Sequence, residues 1–221
     1  MRAFFRRNPE FLRLWGAQVV SSTGDWLSRL ATLTLIAKLS SVEHAIGVGL
    51  LYGLEYSLRT LPTAIFGALA GPLADRLPRR FLMIGADLLR AGIVLCLLLV
   101  REPEDLWLLY TLIFLQMSVS IFFDSARSAA LPNTVQRDDL HTAYALSAAT
   151  FSTMLAVGGF LGGVLVEHIG TSGVFICDAA TYLVSAAFLC TLKLPATPKQ
   201  PQRLRMRDVV LFTDLRRGLQ H

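Results

Sequence analysis

Gly71-Pro72-Leu73-Ala74-Asp75-Arg76-Leu77-Pro78-Arg79-Arg80 is a charged stretch flanked on both sides by long apolar runs. The run before it starts near Ala45; the run after it resumes at Phe81 and continues to Val100. Glycine, two prolines and four charges read as a short turn. Two membrane-length helices joined by so few residues must be antiparallel neighbours. The three arginines place the turn on the cytoplasmic side by the positive-inside rule.

Composition supports a bilayer environment. The 221 residues are 53% hydrophobic and 17% charged, with a mean hydropathy of +0.52. A soluble domain carries about 25% charged residues. The net charge of +5 gathers between apolar runs and at the chain ends. It is therefore a topology signal, and no nucleic-acid partner is expected. Cys96, Cys177 and Cys190 all lie in apolar runs, are odd in number and form no C-x-x-C, so packed thiols are expected rather than disulfides or a zinc site. The first apolar segment is long and lacks a small-residue cleavage site, so it is expected to insert and stay.

In order, the chain reads as an all-α, polytopic membrane protein of six transmembrane helices. The spans cover about 12–36, 46–69, 81–100, 106–130, 140–166 and 172–194, so the six-helix bundle occupies 1–194. Residues 195–221 read as a cytoplasmic linker followed by an amphipathic segment. That segment suits either a helix on the anionic leaflet or the lead-in to a further span. Basic residues at the N-terminus, in the 75–80 turn, at Arg137 and in the tail put both termini in the cytoplasm.

Ionisable residues at membrane depth come in pairs: Asp25/Arg29, Glu55/Arg59, Asp87/Arg90 and Asp124/Arg127. Spacings of three or four put both members on one helix face. Such residues are costly in lipid and mark function by default. Asp124/Arg127 and Asp87/Arg90 read first as aids to insertion and registration. Asp25 and Glu55 lie deeper, and for them a proton or substrate role stands beside the structural one. A carboxylate in a low-dielectric cavity has its pKa raised towards neutrality, which would let it bind and release a proton. Asp178, a lone acid in the sixth span, is expected to hydrogen-bond a neighbouring helix.

Glycines at GxxxG spacing (Gly49/Gly53, Gly67/Gly71, Gly158/Gly162 and Gly159/Gly163) mark close helix approach. The doubled set in the fifth span, Gly158, Gly159, Gly162 and Gly163, is the most specific. It reads as a tight packing face or a point of bending. No H-E-x-x-H, G-x-S-x-G or Walker A motif occurs, and the four histidines are scattered. Neither an enzyme nor a cofactor or metal site is expected.

The charged stretch resembles the loop between the second and third helices of the major facilitator superfamily, G-x-L-A-D-R-x-G-R-R, with Pro78 where glycine is commoner. Phe11-Leu12-Arg13-Leu14-Trp15, Ala126-Arg127-Ser128-Ala129-Ala130-Leu131-Pro132-Asn133 and Phe175-Ile176-Cys177-Asp178-Ala179-Ala180-Thr181-Tyr182-Leu183 resemble its drug/proton antiporter branch, which includes macrolide and siderophore exporters. The resemblance implies one half of a twelve-helix transporter, built as an inverted 3+3 repeat. It implies that Gly71, Asp75, Arg76, Arg79 and Arg80 form a conformational-switch loop, with Asp75 pairing to a basic residue and the other half. It also implies proton-coupled efflux of small amphipathic compounds such as drugs or siderophores, at the cell membrane. The chain carries six expected helices where the family has twelve, so a homodimer or a separate second half is expected as partner. The alternative is a non-transporting subunit or a truncated remnant.

Overall fold

The computed structural model describes residues 2–40 and 45–194. Every described element is helical: α1 (Arg2–Arg7), α2 (Pro9–Leu39), α3 (Ala45–Arg76), α4 (Arg79–Cys96), α5 (Leu106–Ala130) and α6 (Leu140–Thr191). Short 3-10 turns occupy Leu97–Leu99, Pro103–Asp105, Leu131–Asn133 and Arg137–Asp139. The linker and amphipathic segment expected over 195–221 lie outside the described residues.

The expected charged loop is mostly helix. Gly71, Asp75 and Arg76 belong to α3, and Arg79 and Arg80 open α4. Only Leu77 and Pro78 separate the two helices. Pro62 and Pro72 both sit inside α3, so neither stops it. The Leu77 N–H still reaches the Leu73 carbonyl at 3.1 Å, which closes the last turn. Pro78 ends the run because the residue before a proline is pushed away from helical backbone angles. Its own φ of −60° and ψ of 106° turn the chain into α4.

α6 is one assignment but two rods. At Gly170, φ is 71° and ψ is 172°, a backbone region that only glycine enters cheaply. The contacts show what the break does. Along the first arm, Trp15 meets Thr150, Trp26 meets Gly158 and Leu30 meets Gly162, so this arm runs parallel to α2. Along the second arm, Gly16 meets Phe188 and Gly24 meets Asp178 and Thr181, so this arm runs antiparallel to α2. The chain therefore reverses at Gly170, and α2 lies between the two arms.

Glycine makes that sandwich possible. A Cβ on Gly158 would fall 2.6 Å from the Trp26 Cβ, and one on Gly162 would fall 3.2 Å from the Leu27 Cα. Gly159 has open space, and Gly163 meets only Leu30 Cδ1 at 3.8 Å. So one of the two overlapping glycine pairs is the packing face towards α2.

α4 packs between α5 and the second arm, and α3 lies along α5. Phe66 packs near Phe114 and Phe122, and the Tyr110 hydroxyl donates to the Leu51 carbonyl at 3.2 Å. One apolar core joins α2, α4, α5 and the second arm around Ile36, Val94, Ile113 and Phe175. A second gathers Phe11, Met83, Ala126 and Leu189 at the other end.

That other end is also pinned by polar contacts. Arg79 donates to the Ala129 carbonyl at 2.6 Å and pairs with Asp75 at 3.0 Å; Arg80 donates to the Cys190 carbonyl. Both carbonyls lie in the last turn of a helix, where they lack an intrahelical partner and a cation complements the helix dipole. Asn8 donates to Asp139 at 2.7 Å, and Arg7 pairs with the same carboxylate at 3.1 Å.

The outer surface is apolar. Leu50, Phe81, Trp107 and Phe160 are each more than 65% exposed, far beyond what a water-facing monomer carries. Three stretches among the described residues, Arg79–Leu99, Pro103–Asn133 and Arg137–Thr191, are long and apolar enough to cross a membrane. Cys96, Cys177 and Cys190, expected to be packed, are instead exposed on this surface. A thiol is apolar enough to sit in such a face without a partner.

Gly158→Ala should lower thermal stability in detergent, by about 1–3 kcal/mol of overpacking. Gly159→Ala should leave it unchanged, because its side is open. Thermal unfolding of both variants compares the two faces directly.

Candidate functional site

Arg90 is the centre of a buried polar cluster. Its side chain is 3% exposed, in the middle of α4. Asp87, one turn earlier and wholly buried, accepts a hydrogen bond from it. Asp25 of α2 lies 3.9 Å from its guanidinium. The Phe123 and Tyr182 rings lie 4.3 and 4.5 Å from the guanidinium carbon, on two further helices. A guanidinium between two aromatic faces gains cation–π attraction, which is stronger away from water.

The carboxylates are tied in turn. Ser185 donates to Asp87 at 2.7 Å, and the Tyr182 hydroxyl donates to Asp25. Gln116 of α5 donates to the Tyr182 oxygen at 2.9 Å. α2, α4, α5 and the second arm of α6 thus meet in one hydrogen-bonded network. Asp178 sits beside it against Gly24, fully buried. The Thr181 hydroxyl on its own helix lies 3.5 Å from one carboxyl oxygen, and Ser28 of the neighbouring α2 is a second hydrogen-bonding group for the carboxyl.

The cluster forms one wall of a cavity of about 300 Å³. α2 contributes Gln18, Ser22, Asp25, Trp26 and Arg29; α3 contributes Tyr56 and Arg59; α5 contributes Met117, Asp124 and Arg127. Phe151 of the first α6 arm completes it. Apolar bodies with a few charged groups are the usual make-up of a small-molecule site.

The residues singled out in the sequence are distributed as follows. Asp25, Arg29 and Arg59 line the cavity, whereas Glu55 is 1% exposed and paired to Arg59 behind its wall. Three of the four spaced pairs are ion pairs: Glu55/Arg59, Asp87/Arg90, and Asp124/Arg127 at 3.5 Å. Asp25 turns to Arg90 and Tyr182 instead of Arg29, while Arg29 lies 5.2 Å from the Trp26 ring. Gly71, Asp75, Arg76, Arg79 and Arg80 sit at the pinned end, away from the cavity. Sequence reasoning passed over Gln116, Tyr182 and Ser185. The signal was available: Asp178, Tyr182 and Ser185 fall at i, i+4 and i+7, a polar stripe on one face of an apolar helix.

A bundle of apolar helices around a charged cavity is a transporter-like arrangement, and comparison with known proteins specifies it. Residues 3–220 match the family described as transmembrane secretion effector, so the chain belongs to that family of the major facilitator superfamily. It is 29% identical over 219 residues to the uncharacterized MFS-type transporter YfiS of Bacillus subtilis, covering 99% of this chain and 50% of that protein. It is 29% identical to the putative bacilysin exporter BacE of Bacillus subtilis, covering 90% and 47%. It is 22% identical to macrolide efflux protein A of Streptococcus pyogenes, covering 95% and 50%. The chain spans about half the length of the curated relatives it matches. Its family is one of membrane transporters, not enzymes.

Arg90→Ala should destabilise the protein by about 3–5 kcal/mol, since it leaves Asp87 buried without its cation. The double variant Arg90→Ala/Asp87→Ala should be more stable than Arg90→Ala alone. Asp87→Ala completes the cycle in thermal unfolding in detergent, and a double variant whose loss equals the sum of the two single losses would show that the pair is not coupled.

Proposed function

We propose that this chain is one half of a proton-coupled exporter of small amphipathic compounds. In this reading six helices span the cell membrane as an inverted 3+3 repeat, with both ends cytoplasmic. A second copy, or a separate second half, closes the open side of the cavity. Family membership and relatives named for macrolide efflux and bacilysin export support the export direction.

The observation that carries the reading is Asp25. Its carboxylate faces the cavity on one side and holds Tyr182 and Arg90 on the other. A proton arriving from the cavity would neutralise it and weaken both contacts. That would loosen α2 from α4 and from the second arm of α6 at the same depth. Proton binding is thereby coupled to helix packing, which is what an alternating cavity requires. Glu55 is a second candidate, acting through Arg59, whose guanidinium reaches the cavity wall. At the pinned end, Asp75 is 66% exposed beyond its pair with Arg79 and is open to a basic group of the second half. Arg79 and Arg80 hold the ends of α5 and α6, so movement of α3 there would be passed to both.

Asp25→Asn should abolish dye efflux driven by an imposed pH gradient, with the protein still inserted at normal levels. Glu55→Gln should reduce it. Efflux from cells expressing each variant, corrected for membrane abundance, provides the check. Undiminished efflux in both would remove the proton assignment.

A further inference from the structure

The cavity's charges are not all matched to one another. Arg59 is paired with Glu55, Arg90 with Asp87, and Arg127 with Asp124 at 3.5 Å and with the Gln18 amide oxygen at 3.1 Å. Arg29 lines the same cavity and, among the described residues, forms no ion pair; its guanidinium lies beside the Trp26 ring. One turn away on the same helix, Asp25 keeps about a third of its side chain exposed (32%). A cation and an anion four residues apart on one face thus both reach the cavity without pairing to each other, while Asp25 also holds Arg90 at 3.9 Å and the Tyr182 hydroxyl behind it. Beside them Trp26 of α2 and Phe151 of the first arm of α6 form an edge-to-face aromatic pair, with ring centres 6.1 Å apart.

We propose that the cavity takes a zwitterionic amphipath: its anionic group is held by Arg29, its ammonium group by Asp25, and its apolar body by Trp26 and Phe151. A purely cationic compound would leave Arg29 unmatched and repelling it. A purely anionic one would face Asp25 and Asp124, whose partners Arg90 and Arg127 are already engaged, and like charges at short range are costly. A guanidinium is suited to a carboxylate because its planar fork matches both oxygens. The inference rests on the exporter reading and adds the substrate class to it. It also supplies the exchange that the reading needs. An ammonium group and a proton compete for the same Asp25 carboxylate, so substrate and proton occupy the cavity alternately.

The test uses the full chain in lipid nanodiscs and three probes: L-alanyl-L-phenylalanine, its methyl ester and its N-acetyl form. Calorimetric titration near neutral pH should give tightest binding for the free dipeptide. Each blocked form should bind about tenfold more weakly, the loss expected for one charge-assisted contact. Arg29→Gln should bring the dipeptide down to the level of its ester and leave the ester unchanged. Asp25→Asn should bring it down to the level of the N-acetyl form. Equal affinity of wild type for dipeptide and ester, an unaltered preference in Arg29→Gln, or no binding of any probe would each overturn the proposal. These readouts need no transport. Binding selectivity without pH-driven efflux would refute the exporter reading alone, and efflux without selectivity would refute the zwitterion alone.

Discussion

A guanidinium cannot be left alone in a low-dielectric interior, and the placement of Arg90 fixes much of the rest. A buried charge is tolerated only when paired and hydrogen-bonded. Asp87 supplies the pair from the same helix, but the side chain is enclosed only when α2, α5 and the second arm of α6 close around it. Apolar packing in a membrane is weakly selective, because lipid is as apolar as a leucine side chain. The charged cluster is selective, since any rotation of α4 by one residue would separate Arg90 from both rings and from Asp25. The cores above and below it hold the helices together; the cluster sets their register.

The second constraint is steric. α2 touches both arms of α6, which places it at the centre of the bundle and demands thin neighbours. Gly24 on α2 and Gly158 and Gly162 on the first arm provide them. Gly24 is closed in by Asp178 and Thr181, the same turn that carries the buried carboxyl. Close backbone approach and the polar network therefore occur at one depth. The hairpin at Gly170 delivers the second arm to that depth from the opposite direction.

The sequence made some of this legible and hid the rest for a physical reason. Spacing along one helix is a local quantity, so Glu55/Arg59, Asp87/Arg90 and Asp124/Arg127 could be read from it, and each is an ion pair. Asp25/Arg29 has the same spacing and does not pair, because Asp25 meets stronger partners on two other helices and Arg29 meets an aromatic face. Partners across helices leave no spacing signature. The glycine set shows the same limit. Its spacing identified two possible faces, but only contact with Trp26 and Leu27 distinguishes Gly158 and Gly162 from Gly159 and Gly163. The charged stretch at 71–80 reads as a loop because its composition is that of a turn, yet most of it is helix. Composition does not count the hydrogen bonds that carry α3 to Arg76 across Pro72.

α3 is the element least bound by these constraints. It contributes Tyr56 and Arg59 to the cavity and rests on α5 through aromatic contacts and the Tyr110 hydrogen bond. Its glycines at GxxxG spacing are unfilled: Gly49, Gly53 and Gly71 have nothing nearby, and Gly67 has only a residue of its own helix at 4.0 Å. Leu50, Leu61 and Ile65 are exposed alongside them. A helix whose small residues face no backbone can accept a further helix at close range without repacking. That same helix leads through two residues into Arg79 and Arg80, which grip the ends of α5 and α6. α3 therefore connects the cavity wall to the pinned end. The other helices meet around Arg90, whereas α3 lies outside that cluster and is held through α5.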